Sequence, residues 1–171
     1  SVPDVTAELR NIAIRNMTPI ETEQGGAIRL IEANTTLENI TIKRARLNGI
    51  LAQSGTVNAH RIAVIDTQRN HDGETGIGGV GMVATEISNV TATEFIVSGG
   101  YHKGIVSFDP SRLTLSDIRI TDIEGAETQS QEAYNPTGLL GVNGARIKAN
   151  RLYISKAVGA AVGAQNENTR V

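Results

Sequence analysis

Apolar and polar residues alternate in short segments that recur along the whole chain. Six such segments superpose, at residues 9–14, 37–42, 59–64, 92–97, 115–120 and 149–154. The fourth residue of each segment, here termed the anchor, is Ile12, Ile40, Ile62, Phe95, Ile118 or Leu152. A β-branched residue follows every anchor by two positions, and the positions between are mostly polar. Alternation with a period of two predicts β-strands rather than helices.

A second, weaker pattern follows the anchors. It is a glycine and then an apolar residue, as in Gly49-Ile50, Gly81-Met82, Gly104-Ile105 and Gly138-Leu139, with Gly26-Ala27-Ile28 in the first segment. We interpret each glycine as a tight corner, because glycine adopts backbone conformations that other residues avoid. The apolar residue is then expected to begin another strand that faces inward.

The anchors are separated by 28, 22, 33, 23 and 34 residues, so short and long intervals alternate. The long intervals carry their extra residues at one place, over 15–24, 67–79 and 122–136. No helical pattern separates the strands, which favours a solenoid in which each segment stacks on the one before. A β-sandwich would require hairpin turns midway between paired strands, and the Asn-Gly pairs at 48–49 and 143–144 are not so placed.

These features resemble the right-handed parallel β-helix, the pectin-lyase-like fold, over about residues 5–162. The resemblance implies an all-β chain of about six coils, alternately short and long, forming a single domain over residues 1–171. Only 3% of the residues are aromatic, which suits a narrow core of stacked aliphatic rows. Because both ends of such a stack leave strand edges open, we expect a fragment of a longer chain, or end-to-end or flanking-domain packing.

Composition excludes several classes of function. The chain has no cysteine, so it has no disulfide, Cys-ligated zinc site or thiol nucleophile. Its formal net charge of −2 gives no indication of nucleic-acid binding. No apolar run approaches the length of a transmembrane helix, so we expect no membrane span.

Stacking places equivalent residues of successive coils side by side, about 4.8 Å apart. Two outward columns, one lying four residues after each anchor and the other one residue before it, then place acids next to bases, which predicts ion pairs between coils. The expected pairs are Arg44–Asp66, Asp122–Lys156, Arg61–Glu94 and Asp117–Arg151. In the column one residue before each anchor, Asn11 lies beside Asn39, which predicts an amide ladder.

Charge also separates the two kinds of coil. The long loops are acidic, whereas the corresponding short turns are basic and make up one candidate ligand-binding set. That set consists of Lys43, Arg44, Arg46, His102 and Lys103. It could hold an acidic polysaccharide or a cell-surface glycan, whereas the alternative interpretation is a set of ordinary solvated loops.

The enzymes that share this fold suggest two further candidates. The stretches 70–73 (NHDG) and 146–148 (RIK) are similar to polygalacturonase motifs, but the chain has no Asp-Asp pair and no Gly-His-Gly. Asp66 and Asp122 are the nearest candidates for catalytic carboxylates. We expect no cofactor; if the chain binds a metal ion, His71, Asp72 and Glu74 are the candidate ligands and calcium is the candidate ion.

The sequence therefore favours a non-enzymatic module of a secreted or cell-surface, bacterial type that serves as scaffold, adhesion or carbohydrate-binding element. Two alternatives stay open. The chain could be part of a pectate-lyase-like or polygalacturonase-like enzyme, or a section of a phage tailspike.

Overall fold

The computed structural model describes residues 5–17, 26–68, 79–108, 110–124, 136–166 and 168–171. Every element in these ranges is a β-strand. In chain order the strands are β1 (Val5–Arg15), β2 (Gly26–Ile31), β3 (Ala33–Lys43), β4 (Asn48–Gln53), β5 (Thr56–Ile65), β6 (Val80–Thr85), β7 (Asn89–Ser98), β8 (Lys103–Phe108), β9 (Arg112–Ile123), β10 (Thr137–Val142), β11 (Arg146–Ala157) and β12 (Ala160–Gln165).

Long and short strands form two separate parallel sheets. The long strands stack in the order β1-β3-β5-β7-β9-β11, and the short strands stack as β2-β4-β6-β8-β10-β12. Each coil contributes one strand to each sheet, so the chain is an all-β parallel β-helix solenoid of six coils. No described helix is long and apolar enough to cross a membrane.

The strand register confirms the alignment of the anchors. Ile12 pairs with Ile40, Ile40 with Ile62, and Ile62 with Phe95. The same column continues through Ile118 to Leu152. The second pattern is also in register and extends one coil further than the sequence indicated, because Leu139 pairs with Val162.

Short and long coils alternate as expected. The connections after β3, β7 and β11 span only 44–47, 99–102 and 158–159, whereas those after β1 and β5 span 16–25 and 66–79. The connection after β9 is also long and runs from residue 124 to 136. Parts of all three long connections lie outside the described residues.

The core fills the space between the two sheets. The anchors Ile40, Ile62, Phe95 and Ile118 are at most 1% exposed. In the end coils the equivalent anchors are only partly buried. The aliphatic rows therefore shield one another along the axis, and the first and last coils lack that cover on one side.

The glycine that recurs in successive coils has a different role from the one expected. Gly49, Gly81, Gly104 and Gly138 lie inside strands without positive φ, so the corner interpretation is wrong. A Cβ atom on Gly81 would lie 2.5 Å from Cγ1 of Val97 and 2.6 Å from the carbonyl oxygen of Gly104. These glycines are required because β-branched residues of the long strands occupy the space that a side chain would need. The residues in contact are Val64, Val97, Ile120 and Ile154.

The corners are instead formed by residues in the left-handed conformation, most of which are not glycine. One corner bends each long strand in its middle, where φ lies between 53° and 56°. These six residues are Asn11, Asn39, Arg61, Glu94, Asp117 and Arg151. A second corner ends the long strand, as at Arg44 and Asp66, and a third follows the short strand, as at Ser54 and Glu86.

The middle short strands, β4, β6, β8 and β10, are buried on both faces. Leu51, Val83 and Val106 point away from the main core and form a second apolar cluster with Val80 and Val142. Parallel sheets are commonly covered on both sides, and their strands then read as continuous apolar runs. The sequence contains such continuous apolar runs at 49–52 and 80–84. A prediction from period-two alternation alone does not use them.

Candidate functional site

An open groove runs along the outside of the solenoid where the long strands bend. We call it the elbow groove. It has a volume of about 600 Å³ and crosses four consecutive long strands, β3, β5, β7 and β9. Its lining consists of Asn39, Ile40, Thr41, Arg61, Ile62, Ala63, Glu94, Ile96, Asp117 and Arg119.

The groove follows from the left-handed residue in each long strand. Asn39, Arg61, Glu94 and Asp117 are the left-handed residues of the four strands and all line the groove, so its form repeats from coil to coil. One side of the concavity is the row of residues that directly follow the anchors. We call this row the outer strip; paired in register across β3 to β11, it comprises Thr41, Ala63, Ile96, Arg119 and Tyr153.

Ion pairs neutralise the charges near one end of the groove. Oε2 of Glu38 lies 2.9 Å from Nη1 of Arg10, and Oε1 of Glu38 lies 3.2 Å from Nη2 of Arg61. Arg10 also contacts Glu8. This network joins β1, β3 and β5. Arg61 therefore pairs with Glu38 rather than with Glu94, because the two oxygens of Glu38 accept an arginine from the coil on either side.

A second set of ion pairs joins β9 and β11 near the other end. Arg151 donates through Nη2 to Asp117 at 2.7 Å, and Lys156 lies 3.0 Å from Asp122. The hydrogen bond from Arg151 lowers the pKa of Asp117, and the hydrogen bond from Lys156 lowers the pKa of Asp122. Both carboxyl groups are therefore held in the ionised form.

Two charged side chains of the central groove form no ion pair with a described residue, although the charge of Arg119 contributes to the lowered pKa of Asp122. Glu94 and Arg119 make no ion pair with any residue that the structure describes. They lie on adjacent coils, since Arg119 pairs in register with Ile96, two residues after Glu94. Carboxylate and guanidinium are thus both available to a ligand in the same part of the groove.

Exposed apolar and aromatic surface flanks these two charges. Ile96 is 42% exposed and Tyr153 is 55% exposed. The guanidinium carbon of Arg119 lies 5.5 Å from the centre of the Tyr153 ring, a cation–π contact. The outer strip thus changes from small residues at Thr41 and Ala63 to large ones at the other end.

Of the four ion pairs expected from the stacked columns, two form. Asp117–Arg151 and Asp122–Lys156 are confirmed. The expected pair Arg61–Glu94 is wrong, because Arg61 pairs with Glu38 instead. No ion pair joins Arg44 to Asp66 within the described ranges. The amide ladder is confirmed, because Nδ2 of Asn39 donates to Oδ1 of Asn11 at 3.0 Å.

The basic turns predicted to bind a ligand do not form one exposed surface. Arg44 is exposed, whereas Lys43 and Arg46 are half-buried. His102 is only 4% exposed and packs against Tyr101, and burial lowers the pKa of Lys103. A ligand-binding role for this set stays a prediction.

The candidate catalytic residues share one corner but are separated by an intervening coil. Gly99 stands between Asp66 and Asp122 in the column, and backbone hydrogen bonds from Asp66 to Ser98 and from Gly99 to Thr121 set this order. Asp122 is already paired with Lys156. Among the described residues of this column, no second carboxyl group therefore lies on the coil next to either aspartate.

The candidate metal ligands His71, Asp72 and Glu74 lie outside the described residues, as does the stretch 70–73. In the described part of the chain, no cluster of three or more His, Asp or Glu side chains could hold a metal ion. On β11, Arg146 and Lys148 are exposed and Ile147 between them is buried in the core. The RIK stretch thus follows ordinary strand alternation.

The elbow groove was not predicted from the sequence, although part of its signal was present. The sequence shows the residues before each anchor as a column of charges, but it does not show their left-handed backbone. The row after each anchor contains Ile96 and Tyr153, exposed where polar residues are usual. A test for apolar residues on outward columns would have identified this strip.

Comparison with known proteins identifies no relative. No family model matches the chain, and neither a curated protein nor a solved structure matches it. The parallel β-helix therefore rests on strand pairing and register.

Proposed function

We propose that this chain is a non-enzymatic β-helix module that binds an extended anionic polysaccharide along the elbow groove. One observation carries the proposal. Arg119 lies in an open groove without an ion-pair partner among the described residues, and the exposed Ile96 and Tyr153 lie beside it. A guanidinium pairs well with a carboxylate, and an amphipathic ring such as that of tyrosine offers a face to a sugar.

The form of the groove favours a polymer. It crosses four strands at the spacing of about 4.8 Å set by parallel pairing. Polar groups recur at this spacing, with Asn39, Glu94 and Asp117 as hydrogen-bond acceptors for hydroxyl groups. An open, repeating surface of this kind suits a chain that lies along the solenoid axis better than a small enclosed molecule.

The state of the carboxyl groups favours binding over catalysis. Hydrolysis of a glycosidic bond generally needs one carboxyl group with a raised pKa as the acid and a second group as base or nucleophile. Asp117, which lines the groove, instead has a lowered pKa and is fixed by Arg151. This favours a binding element over a glycoside hydrolase, and we propose that the element serves as a scaffold or adhesion module at a cell surface or in a secreted protein.

Binding can be tested with polygalacturonate and alginate as anionic probes and dextran as a neutral control. We expect Arg119→Gln to weaken binding of an anionic probe at least about tenfold, as loss of a charge-assisted hydrogen bond does. Tyr153→Ala should weaken binding as well. Isothermal titration calorimetry measures both effects, and reducing-end and absorbance assays of the same mixtures report cleavage.

Two matched variants locate the site. Arg29→Gln removes an exposed arginine from β2, outside the groove, and should bind like the unmodified chain. Arg44→Gln tests the basic turns in the same way. Loss of binding in the Arg44 variant with full binding in the Arg119 variant would move the site to the basic turns. Cleavage of either polymer would show that the module is an enzyme.

A further inference from the structure

Two identical Asn-Gly pairs of this chain stand in opposite environments. Asn48-Gly49 opens β4, where Asn48 is 7% exposed. Asn143-Gly144 connects β10 to β11, and Asn143 is exposed. The same dipeptide therefore occurs once inside a sheet and once at the surface.

The exposed pair forms a tight turn with a reactive sequence. Asn143 and Gly144 have φ of 54° and 88°, and the N–H of Ala145 donates to the carbonyl of Val142 at 3.2 Å. Two positive φ values with this hydrogen bond are the features of a type I′ turn. Glycine after asparagine leaves the backbone nitrogen unshielded by a side chain.

We propose that Asn143-Gly144 is a site of spontaneous deamidation and isomerisation, and that Thr169 controls its rate. The backbone nitrogen of Gly144 forms a bond to Cγ of Asn143, while the bond from Cγ to the side-chain nitrogen breaks. Ammonia leaves with the proton from Gly144. Water then adds to either carbonyl of the resulting succinimide ring, which opens to aspartate or isoaspartate.

Thr169 opposes the first step. The N–H of Gly144 donates to Oγ1 of Thr169 at 2.8 Å, and the hydroxyl of Thr169 donates to the carbonyl of Gln165 at 2.8 Å. The attacking nitrogen is thus held by a residue of the last coil, which is mostly exposed. Local opening of weakly packed end segments requires little free energy, so the reaction proceeds when this coil opens.

The product would alter the coil that follows. Isoaspartate inserts an additional backbone methylene at a corner that sets the register of β11. Asn166 also donates to the Asn143 side chain, which links this corner to the last coil. We therefore expect isomerisation to weaken the attachment of β12 and of residues 168–171.

Incubation of the folded chain at neutral to mildly alkaline pH, followed by peptide mapping with mass spectrometry, tests the site. Conversion at Asn143 should exceed that at Asn48 by at least about tenfold, since the buried pair reacts only after larger opening. In urea the two pairs should react at similar rates. Equal conversion in the folded chain, or faster conversion at Asn48, would overturn the proposal.

Variants at Thr169 test the control. Thr169→Val removes the acceptor and keeps the shape, and should accelerate conversion at Asn143 several-fold. Thr169→Ser retains the hydroxyl and should react at the original rate. An unchanged rate in the valine variant, or an equal acceleration in both variants, would show that the hydroxyl does not control the reaction.

Discussion

At the scale of single residues, backbone geometry decides which residues are possible. Each coil turns at left-handed corners, and most are occupied by charged or amide side chains rather than glycine. Asn and Asp accept this conformation readily, whereas Arg61 and Glu94 adopt it at a cost of about 1–2 kcal/mol. Glycine instead occupies the strand positions where the facing sheet leaves no room for Cβ, and among the described glycines Gly79, Gly99 and Gly144 also adopt positive φ.

Gly81 is the sharpest test of this division. In the variant Gly81→Ala, the new Cβ would meet Val97 and the backbone of Gly104, which cannot both move aside. We expect a loss of about 1–3 kcal/mol in the free energy of unfolding, as for overpacked cores. Urea denaturation measures it. In Gly26→Ala the nearest contact would be 3.2 Å, which a shift of a few tenths of an ångström would relieve, so we expect a smaller loss than in Gly81→Ala; equal losses in both variants would refute the packing argument.

At the scale of strands, side chains reinforce the pairing that the backbone establishes. Arg151 and Lys156 both project from β11 to aspartates of β9, and Arg10 and Arg61 connect three strands through Glu38. The expected pairs formed at the β9–β11 step because each aspartate faces one basic residue. The pair Arg61–Glu94 did not form because Glu38 competes for the same arginine.

These pairs make the β9–β11 step sensitive to acid. The pKa of Asp117 is lower in the folded chain than its ordinary value of 3.8, so its contribution to stability is present above that value and is lost as the pH falls through the folded pKa. We expect the urea midpoint of the unmodified chain to fall more between pH 7 and pH 3 than that of Asp117→Asn.

Asp66→Asn serves as the control for this pH effect, because Asp66 has no ion pair within the described residues. Its urea midpoint should follow that of the unmodified chain between the two pH values. If the Asp117 and Asp66 variants show the same pH dependence, the ion pair with Arg151 does not account for the acid sensitivity.

At the scale of the whole molecule, stability is distributed along one axis. Each coil contacts only its neighbours, so the central coils are covered on two sides and the end coils on one. The burial of the anchors shows this gradient: Phe95 is fully buried, whereas Ile12 and Leu152 are partly exposed. The elbow groove runs along the same axis, because it crosses the stacked strands β3, β5, β7 and β9.

Hydrogen exchange should reveal the gradient directly. Amides of β5 and β7 should exchange most slowly, and those of β1 and β12 fastest, because opening an end coil disrupts one interface and opening a central coil disrupts two. Native-state exchange followed by mass spectrometry measures this profile, with the urea-unfolded chain as the reference. Uniform protection along the chain would indicate that all coils open as one unit.

Much of the fold could be predicted from the sequence because its signal is periodic. Ile12, Ile40 and Ile62 repeat the same local pattern, and stacking places repeated patterns in register. The groove could not be predicted in this way. It depends on the φ angles of Asn39, Arg61 and the equivalent residues, whose side chains resemble ordinary surface residues in a sequence.

The sequence by itself determined the strand periodicity, the register of the coils and the alternation of their lengths. These are one-dimensional properties, set by which positions are apolar and how far apart they lie. Only the tertiary structure decided that glycines mark close contact between sheets, that charged residues form the corners, and that Glu94 and Arg119 stay unpaired among the described residues. Each of these depends on distances between segments of different coils, which neither composition nor spacing specifies.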